Sequence, residues 1–312
     1  MTEVSKRYGE VTAVDGVSFS VSVGEAFGLL GPNGAGKSTT LDVLIGFAEP
    51  TDGDVVVAGH DVTESPAEAR GEMGIVPEDC GVYDRLTAEE HVRLAARAKD
   101  VAVDPGRLLR LVGLDQIAWS RPAGEYSKGM AQRLRLAVAL VGDPAVLVLD
   151  EPLSGLDPSG VSEITSLVSD LRDDGTAVVF SSHNLPYVEE VCDRVGILNS
   201  SEFVGVEDLS ARRQQPEELA VSTSGAVDEA VAAVESVSEV TSTVVRDDEV
   251  RITVTDPAAK AEAIARAQSQ AQVNDVRTGT SSVEDVFSLY TEQQREESNT
   301  GDRTDREEVT AV

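Results

Sequence analysis

The chain has 312 residues, enough for about two domains of ordinary size, and a hydrophobic content of 41% that supports a packed core. Acidic residues outnumber basic ones 56 to 26, for a net charge of −30, which speaks against a nucleic-acid partner. Two cysteines, Cys80 and Cys192, without C-x-x-C spacing argue against a disulfide framework or zinc site and fit a reducing compartment. No signal-peptide pattern is visible, and no apolar run approaches the ~18 residues of a membrane span, so any membrane role is expected to come through a partner chain.

Only five of the basic residues are lysines. A surface this acidic repels itself in dilute buffer. At molar salt the Debye length shrinks to about 3 Å and the repulsion is screened. The composition therefore predicts adaptation to a high-salt cytoplasm.

In chain order, Met1 to Gly9 leaves little room for a full first strand. Val17 to Val23 alternates apolar residues with serine, the pattern of a half-buried strand. Ala26–Leu30 is short and apolar, as a buried strand is, and Thr40–Ile45 reads as a helix. Between them Gly31-Pro32-Asn33-Gly34-Ala35-Gly36-Lys37-Ser38-Thr39 fits the phosphate-loop pattern G-x-x-x-x-G-K-[ST] at every fixed position. Glycines let the backbone turn several N–H groups inward, and the positive end of the next helix adds to them. Lys37 brings a point charge to the terminal phosphates, and the Ser38 hydroxyl suits Mg²⁺. The stretch predicts a nucleoside-triphosphate site.

Further on, Asp54–Ala58 and Met73–Val76 read as strands, the second ending at the corner Pro77-Glu78. Thr87-Ala88-Glu89-Glu90 is a capping box opening a helix to about Lys99. Asp104-Pro105 caps the next helix, which stops at Gly113. The region from Thr87 to Ala123 is thus expected to be a helical lobe. Tyr126-Ser127-Lys128-Gly129-Met130 opens a helix over Ala131–Val141. Ala145–Leu149 is a buried strand leading into Asp150 and Glu151. Asp150 stands where it can hold Mg²⁺, and Glu151 where it can activate water. A helix over Ser159–Leu171 and a strand over Ala177–Phe180 follow. Alternating strands and helices predict an α/β fold.

After about Ser210 glycine becomes sparse. Strand Leu219–Ser222, helix Val227–Glu235, strand Val240–Val245, turn Asp247-Asp248, strand Val250–Val254, helix Ala258–Ala267 and strand Val273–Arg277 give the order βαββαβ, which suggests a small ferredoxin-like α+β domain. A short helix, Val283–Tyr290, closes it, and the charged tail from Thr291 to Val312 is expected to be disordered. The predicted division is 1–210, 211–290 and 291–312.

Ser127-x-Gly129 at a helix start, with Gln132-Arg133 and then the Asp150-Glu151 strand, resembles the signature motif of ABC-type ATPases. The usual form there is LSGGQ, and Tyr-Ser-Lys-Gly-Met is similar to the exporter branch. Ser154-Gly155-Leu156-Asp157 resembles the family's D-loop, His183 its switch histidine, and Tyr8 the aromatic that stacks on adenine. The resemblance runs from Tyr8 to about Val206. It implies a P-loop cassette with an inserted helical lobe that binds and hydrolyses ATP with Mg²⁺. It also implies that the signature site, Ser127, Lys128 and Gly129, faces the phosphate loop of a second cassette, with Asp157 at the interface. Glu151 and His183 are then the catalytic residues, and Ser38, Glu78 and Asp150 hold Mg²⁺. Members of that family usually carry glutamine at position 78, so Glu78 is a departure, although similar exporter-type cassettes also use glutamate there and a carboxylate can still ligate Mg²⁺. The implied setting is the cytoplasmic face of the cell membrane, where the cassette drives a separate permease, most simply for export. An importer subunit and a soluble ABC ATPase are the alternatives. The cargo is not legible.

Overall fold

The computed structural model describes residues 1–78, 80–213, 217–246, 249–256 and 259–278. The chain divides into two compact units, Met1–Leu209 and Ser210–Val312.

The first unit opens with strand β1 (Thr2–Tyr8) and β2 (Val11–Val17), an antiparallel hairpin. So the first strand is complete, contrary to expectation: its residues pair on one side with β2 and on the other with β4 (Asp52–Asp54). The expected strand at Val17–Val23 is not one. Only Val17 belongs to β2. Phe19 nevertheless exchanges backbone hydrogen bonds with Met1 and stacks on Phe27 at 4.6 Å. The alternation therefore reflects real burial without ladder pairing. β3 (Ala26–Leu30) is fully buried and leads through the phosphate-loop sequence into α1 (Lys37–Leu44). Two-residue strands β5 (Val56–Val57) and β6 (His60–Asp61) pair with each other. Helix α2 (Pro66–Gly71) then precedes β7 (Met73–Val76).

The lobe is built from α3 (Ala88–Ala98), α4 (Pro105–Leu111) and α5 (Lys128–Ala139). Both halves of the capping box at α3 form: the Glu90 N–H donates to Thr87 Oγ1, and the Thr87 N–H to Glu90 Oε2. Asp104 caps α4. The chain then runs through β8 (Val146–Asp150), α6 (Pro158–Asp173), β9 (Ala177–Ser182), α7 (Leu185–Val191), β10 (Arg194–Asn199), β11 (Glu202–Asp208) and α8 (Leu209–Arg213).

The large sheet has nine strands in the order β4-β1-β2-β11-β10-β3-β9-β8-β7. From β10 to β7 all neighbours are parallel, whereas β4-β1-β2 and the β10-β11 pair are antiparallel. Parallel strands need both faces covered, hence their continuous apolar runs. On one face Phe27, Leu29, Val148 and Val179 pack with Leu41 and Leu44 of α1. On the other, Gly28 lies under Val188 of α7, where a Cβ would stand 2.6 Å from its methyl. Each large apolar side chain buried in these layers contributes about 1.5–3 kcal/mol.

The second unit contains β12 (Glu217–Ser224), α9 (Val227–Glu235), β13 (Val240–Arg246), β14 (Glu249–Val254), α10 (Ala259–Gln270) and β15 (Gln272–Thr278). The four strands form an antiparallel sheet in the order β13-β14-β12-β15. Leu219, Val221, Val250 and Ile252 share a core with Val234, Ala263 and Ala267 of the helices. The turn at Asp247-Asp248, the helix at Val283–Tyr290 and the tail from Thr291 to Val312 lie outside the described residues.

Candidate active site

Four neighbouring parallel strands, in the order β3-β9-β8-β7, end on the same edge of the sheet. β3 runs into the phosphate-loop sequence, β9 into His183, β8 into Glu151, and β7 into Glu78. The register places Leu30 beside Ser182, Asp150 beside Ser181, and Val76 beside Leu149. The topology thus gathers residues far apart in sequence at the carboxyl ends of the strands, the usual ligand crevice of an open α/β sheet. A cleft of about 450 Å³ opens there, and its lining includes Asn33, Gly34, Gly36, Lys37, Ser38, Thr39, Glu78 and Glu151.

The loop geometry follows from its residue types. Gly36 has φ 101°, and a Cβ on it would stand 2.5 Å from the Ala13 carbonyl oxygen, so only glycine fits. Gly31 is equally tight, 2.4 Å from the Leu198 carbonyl. Gly36 is the N-cap of α1, no side chain caps the helix, and its first turn carries no acidic residue. The open N–H groups and the positive end of the dipole therefore face the cleft uncompensated, which suits a phosphate. Pro32 and Ala35 brace the loop from behind through an Ala35 N–H to Pro32 carbonyl bond.

Lys37 is buried, and its Nζ donates to the carbonyls of Gly31 at 2.8 Å and Pro32 at 3.3 Å. Its Nζ also stands 3.6 Å from Glu151 Oε1. The Glu151 side chain is 8% exposed, while that of His183 is 54% exposed. His183 Nδ1 lies 3.0 Å from the same Glu151 oxygen. An ionised carboxylate only accepts, so this contact needs the proton on Nδ1. Glu151 adopts φ 46°, left-handed for a non-glycine residue, a conformation costing about 1–3 kcal/mol that concentrates at functional sites.

Ser181, which belongs to no recognisable motif, holds this corner together. Its hydroxyl is fully buried, donates to Asp150 Oδ1, and accepts the Glu151 N–H at 2.9 Å. Thr12, Ala13 and Ser201 also line the cleft and are not legible as site residues in the sequence. Their contribution comes from strand pairing across the sheet, for which no local motif exists.

The oxygen donors Ser38, Glu78 and Asp150 are the hard ligands that Mg²⁺ takes. Burial, and then the nearby Asp150 charge, push the Asp42 carboxyl up from its ordinary value. Among the described residues no three His, Cys, Asp or Glu side chains form a metal cage.

The other predicted residues lie elsewhere. Tyr8 is 52% exposed at the end of β1 and does not line the cleft; the Lys6 ammonium sits over its ring at 4.8 Å. Its pairing partner in the hairpin, Val11, does line it. Ser127, Lys128, Gly129 and Asp157 also stand apart from the cleft. Ser127 caps α5 by accepting the Met130 N–H at 3.3 Å, and Asp157 caps α6 by accepting the Gly160 N–H at 3.1 Å. Lys128 lies over Gly155, so the two segments adjoin.

Comparison with known proteins agrees with this geometry. The ABC transporter family model matches residues 14–154. The linearmycin resistance ATP-binding protein LnrL of Bacillus subtilis (strain 168) is 34% identical over 80% of this chain and 83% of its own length. The bacitracin transport ATP-binding protein BcrA of Enterococcus faecalis is 36% identical over 70% of this chain and 73% of its own. Among solved structures, the dimeric bacterial ABC transporter cassette MJ0796 superposes with a TM-score of 0.62 at 26% identity, covering 67% of this chain and 97% of that one. It has also been seen as a dimer in a post-hydrolysis state with ADP and Pi.

Proposed function

This chain belongs to the ABC transporter family as an ATP-binding subunit and ATPase, and from that premise we propose that it powers a separate membrane permease, in the direction of export, from the cytoplasmic face of the membrane. The observation that carries the reading is the convergence of Lys37, Glu151 and His183 on a bare helix N-terminus at adjoining strand ends. Among the described residues no helix is long and apolar enough to cross a membrane, so transport requires a partner chain. A groove lined by Tyr83, Asp84, Arg85, Leu86 and Leu94 offers that partner a seat. LnrL and BcrA, by their names a resistance and a transport protein, support export over the alternatives.

In this reading Gly34, Gly36, Lys37, Ser38 and Thr39 hold the phosphates of ATP, with Gly31, Pro32, Asn33 and Ala35 shaping the loop. Lys37 exchanges part of its contact with Glu151 for the terminal phosphate, which frees the carboxylate. Glu151 then accepts a proton from the attacking water, and His183 steadies it through Nδ1. Ser38, Asp150 and Glu78 would hold Mg²⁺, which would supply charge neutralisation to the phosphates. Ser127, Lys128, Gly129 and Asp157 stand apart from their own cleft. That supports a head-to-tail homodimer in which they close over the partner's nucleotide. Tyr8 does not line the cleft, but its hairpin partner Val11 does, and that proximity is what supports reading Tyr8 as the adenine's neighbour. The strand order β13-β14-β12-β15 with two covering helices supports a ferredoxin-like reading of the second unit.

Two measurements test this. Glu151→Gln should keep ATP affinity and lose at least about 100-fold in turnover, the scale of a general base; near-normal hydrolysis would remove Glu151 from its role. Purification from native membranes in molar KCl should bring down a stoichiometric polytopic membrane chain. Soluble chains alone would favour a non-transport ATPase.

A further inference from the structure

Lys6 and Tyr8 stand two apart on β1 and therefore share a face of the strand. The Lys6 Nζ lies 4.8 Å from the centroid of the Tyr8 ring and donates to the Glu49 carbonyl at 2.6 Å. One ammonium thus joins the ring to the segment that follows α1, the helix that carries Lys37 and Ser38 at its start. The strand itself is fastened to the same segment. The Thr51 N–H donates to the Ser5 carbonyl at 2.8 Å, and the Arg7 N–H to Thr51 Oγ1 at 3.0 Å. Lys6 is therefore held at its backbone and at its head group, with the head group over the ring.

Tyr8 is half exposed, and among the described residues no other aromatic ring packs against it. Gly9, at φ 60°, begins the turn that brings the chain back to Val11, which lines the phosphate cleft. An exposed side chain at a hairpin end must be ordered before it can stack on a base, and ordering it on binding lowers affinity. A cation over one face of the ring sets its orientation beforehand, because the face is negative. The opposite face is left for a planar ligand.

We propose that Lys6 is a positioning residue for the adenine: its ammonium, anchored on Glu49, holds the Tyr8 ring in the orientation that stacks on the base. The inference rests on the reading of Tyr8 as the adenine's neighbour.

The test is a double-mutant cycle with Lys6→Met and Tyr8→Leu in molar KCl. It is read as the Kd of Mg²⁺-ATP and of Mg²⁺-tripolyphosphate, which has the phosphates and no base. Lys6→Met should weaken ATP binding about two- to fivefold, the scale of an exposed cation–π contact, and leave tripolyphosphate binding unchanged. In the Tyr8→Leu background the same substitution should leave ATP affinity unchanged, as for sites that no longer interact. Lys6→Arg, which keeps a cation over the ring, should recover the affinity. Equal losses for both ligands would overturn the proposal, because Lys6 would then act only as a charge attracting the phosphates. A loss that persists without the Tyr8 ring, no loss at all, or a Lys6→Met protein that does not fold would overturn it as well. Tyr8→Leu alone separates the two readings. If it leaves ATP affinity intact, the adenine reading falls and this inference with it; if it weakens ATP binding without coupling to Lys6, only this inference falls.

Discussion

Ser181 shows how much of the site rests on a single uncharged side chain. It holds the Asp150 carboxylate and the Glu151 backbone N–H at once, and Glu151 sits in a left-handed conformation that needs such support. Ser181→Ala should leave both groups without this partner inside the protein. The expected cost is about 1–3 kcal/mol of stability for the unsatisfied groups. Turnover should fall more than ATP affinity, since the phosphate loop is untouched. Unfolding curves and kcat compared with KM check both. At this scale the sequence is informative wherever function imposes a motif: Gly36, Lys37 and Ser38 can be named from their spacing. Ser181 cannot. It is one of two adjacent serines at a strand end, and its partners lie 30 and 31 residues away in sequence.

Among the elements, helices with capping signals are the most legible. Thr87 and Glu90 announce α3 one residue before it begins, and the reciprocal bonds form as expected. Thr87→Ala should cost about 1 kcal/mol in unfolding free energy, with little effect on nucleotide affinity. A loss confined to nucleotide binding would contradict the cap's structural role. The strands with continuous apolar runs, β3, β8 and β9, are equally plain, because burial on both faces leaves no room for polar residues. The first strand and β2 are hidden in the sequence for a physical reason. Thr2–Tyr8 is rich in polar and charged residues, and Val11–Val17 is broken by Asp15 and Gly16. Their strand character comes from pairing with each other and with β4 and β11, not from a hydrophobic period.

At the scale of the whole molecule, the acidic surface governs how the protein responds to its solvent. A net charge of −30 with only five lysines should destabilise the compact state at low ionic strength. The melting temperature is predicted to rise steadily with KCl toward molar concentrations, as the Debye length falls to about 3 Å. A flat or falling dependence would mean that the acidity serves some other purpose.

In the proposed mechanism ATP is bound between two copies of this cassette, each closing its signature segment over the other's phosphate loop. The most direct test is the solution mass of the Glu151→Gln protein in molar KCl, measured with Mg²⁺-ATP, with Mg²⁺-ADP and without nucleotide. The account predicts a dimer with Mg²⁺-ATP alone, lost again when Ser127 is replaced by a bulky residue. A protein that stays monomeric at saturating ATP, or dimerises equally well without it, would contradict the account.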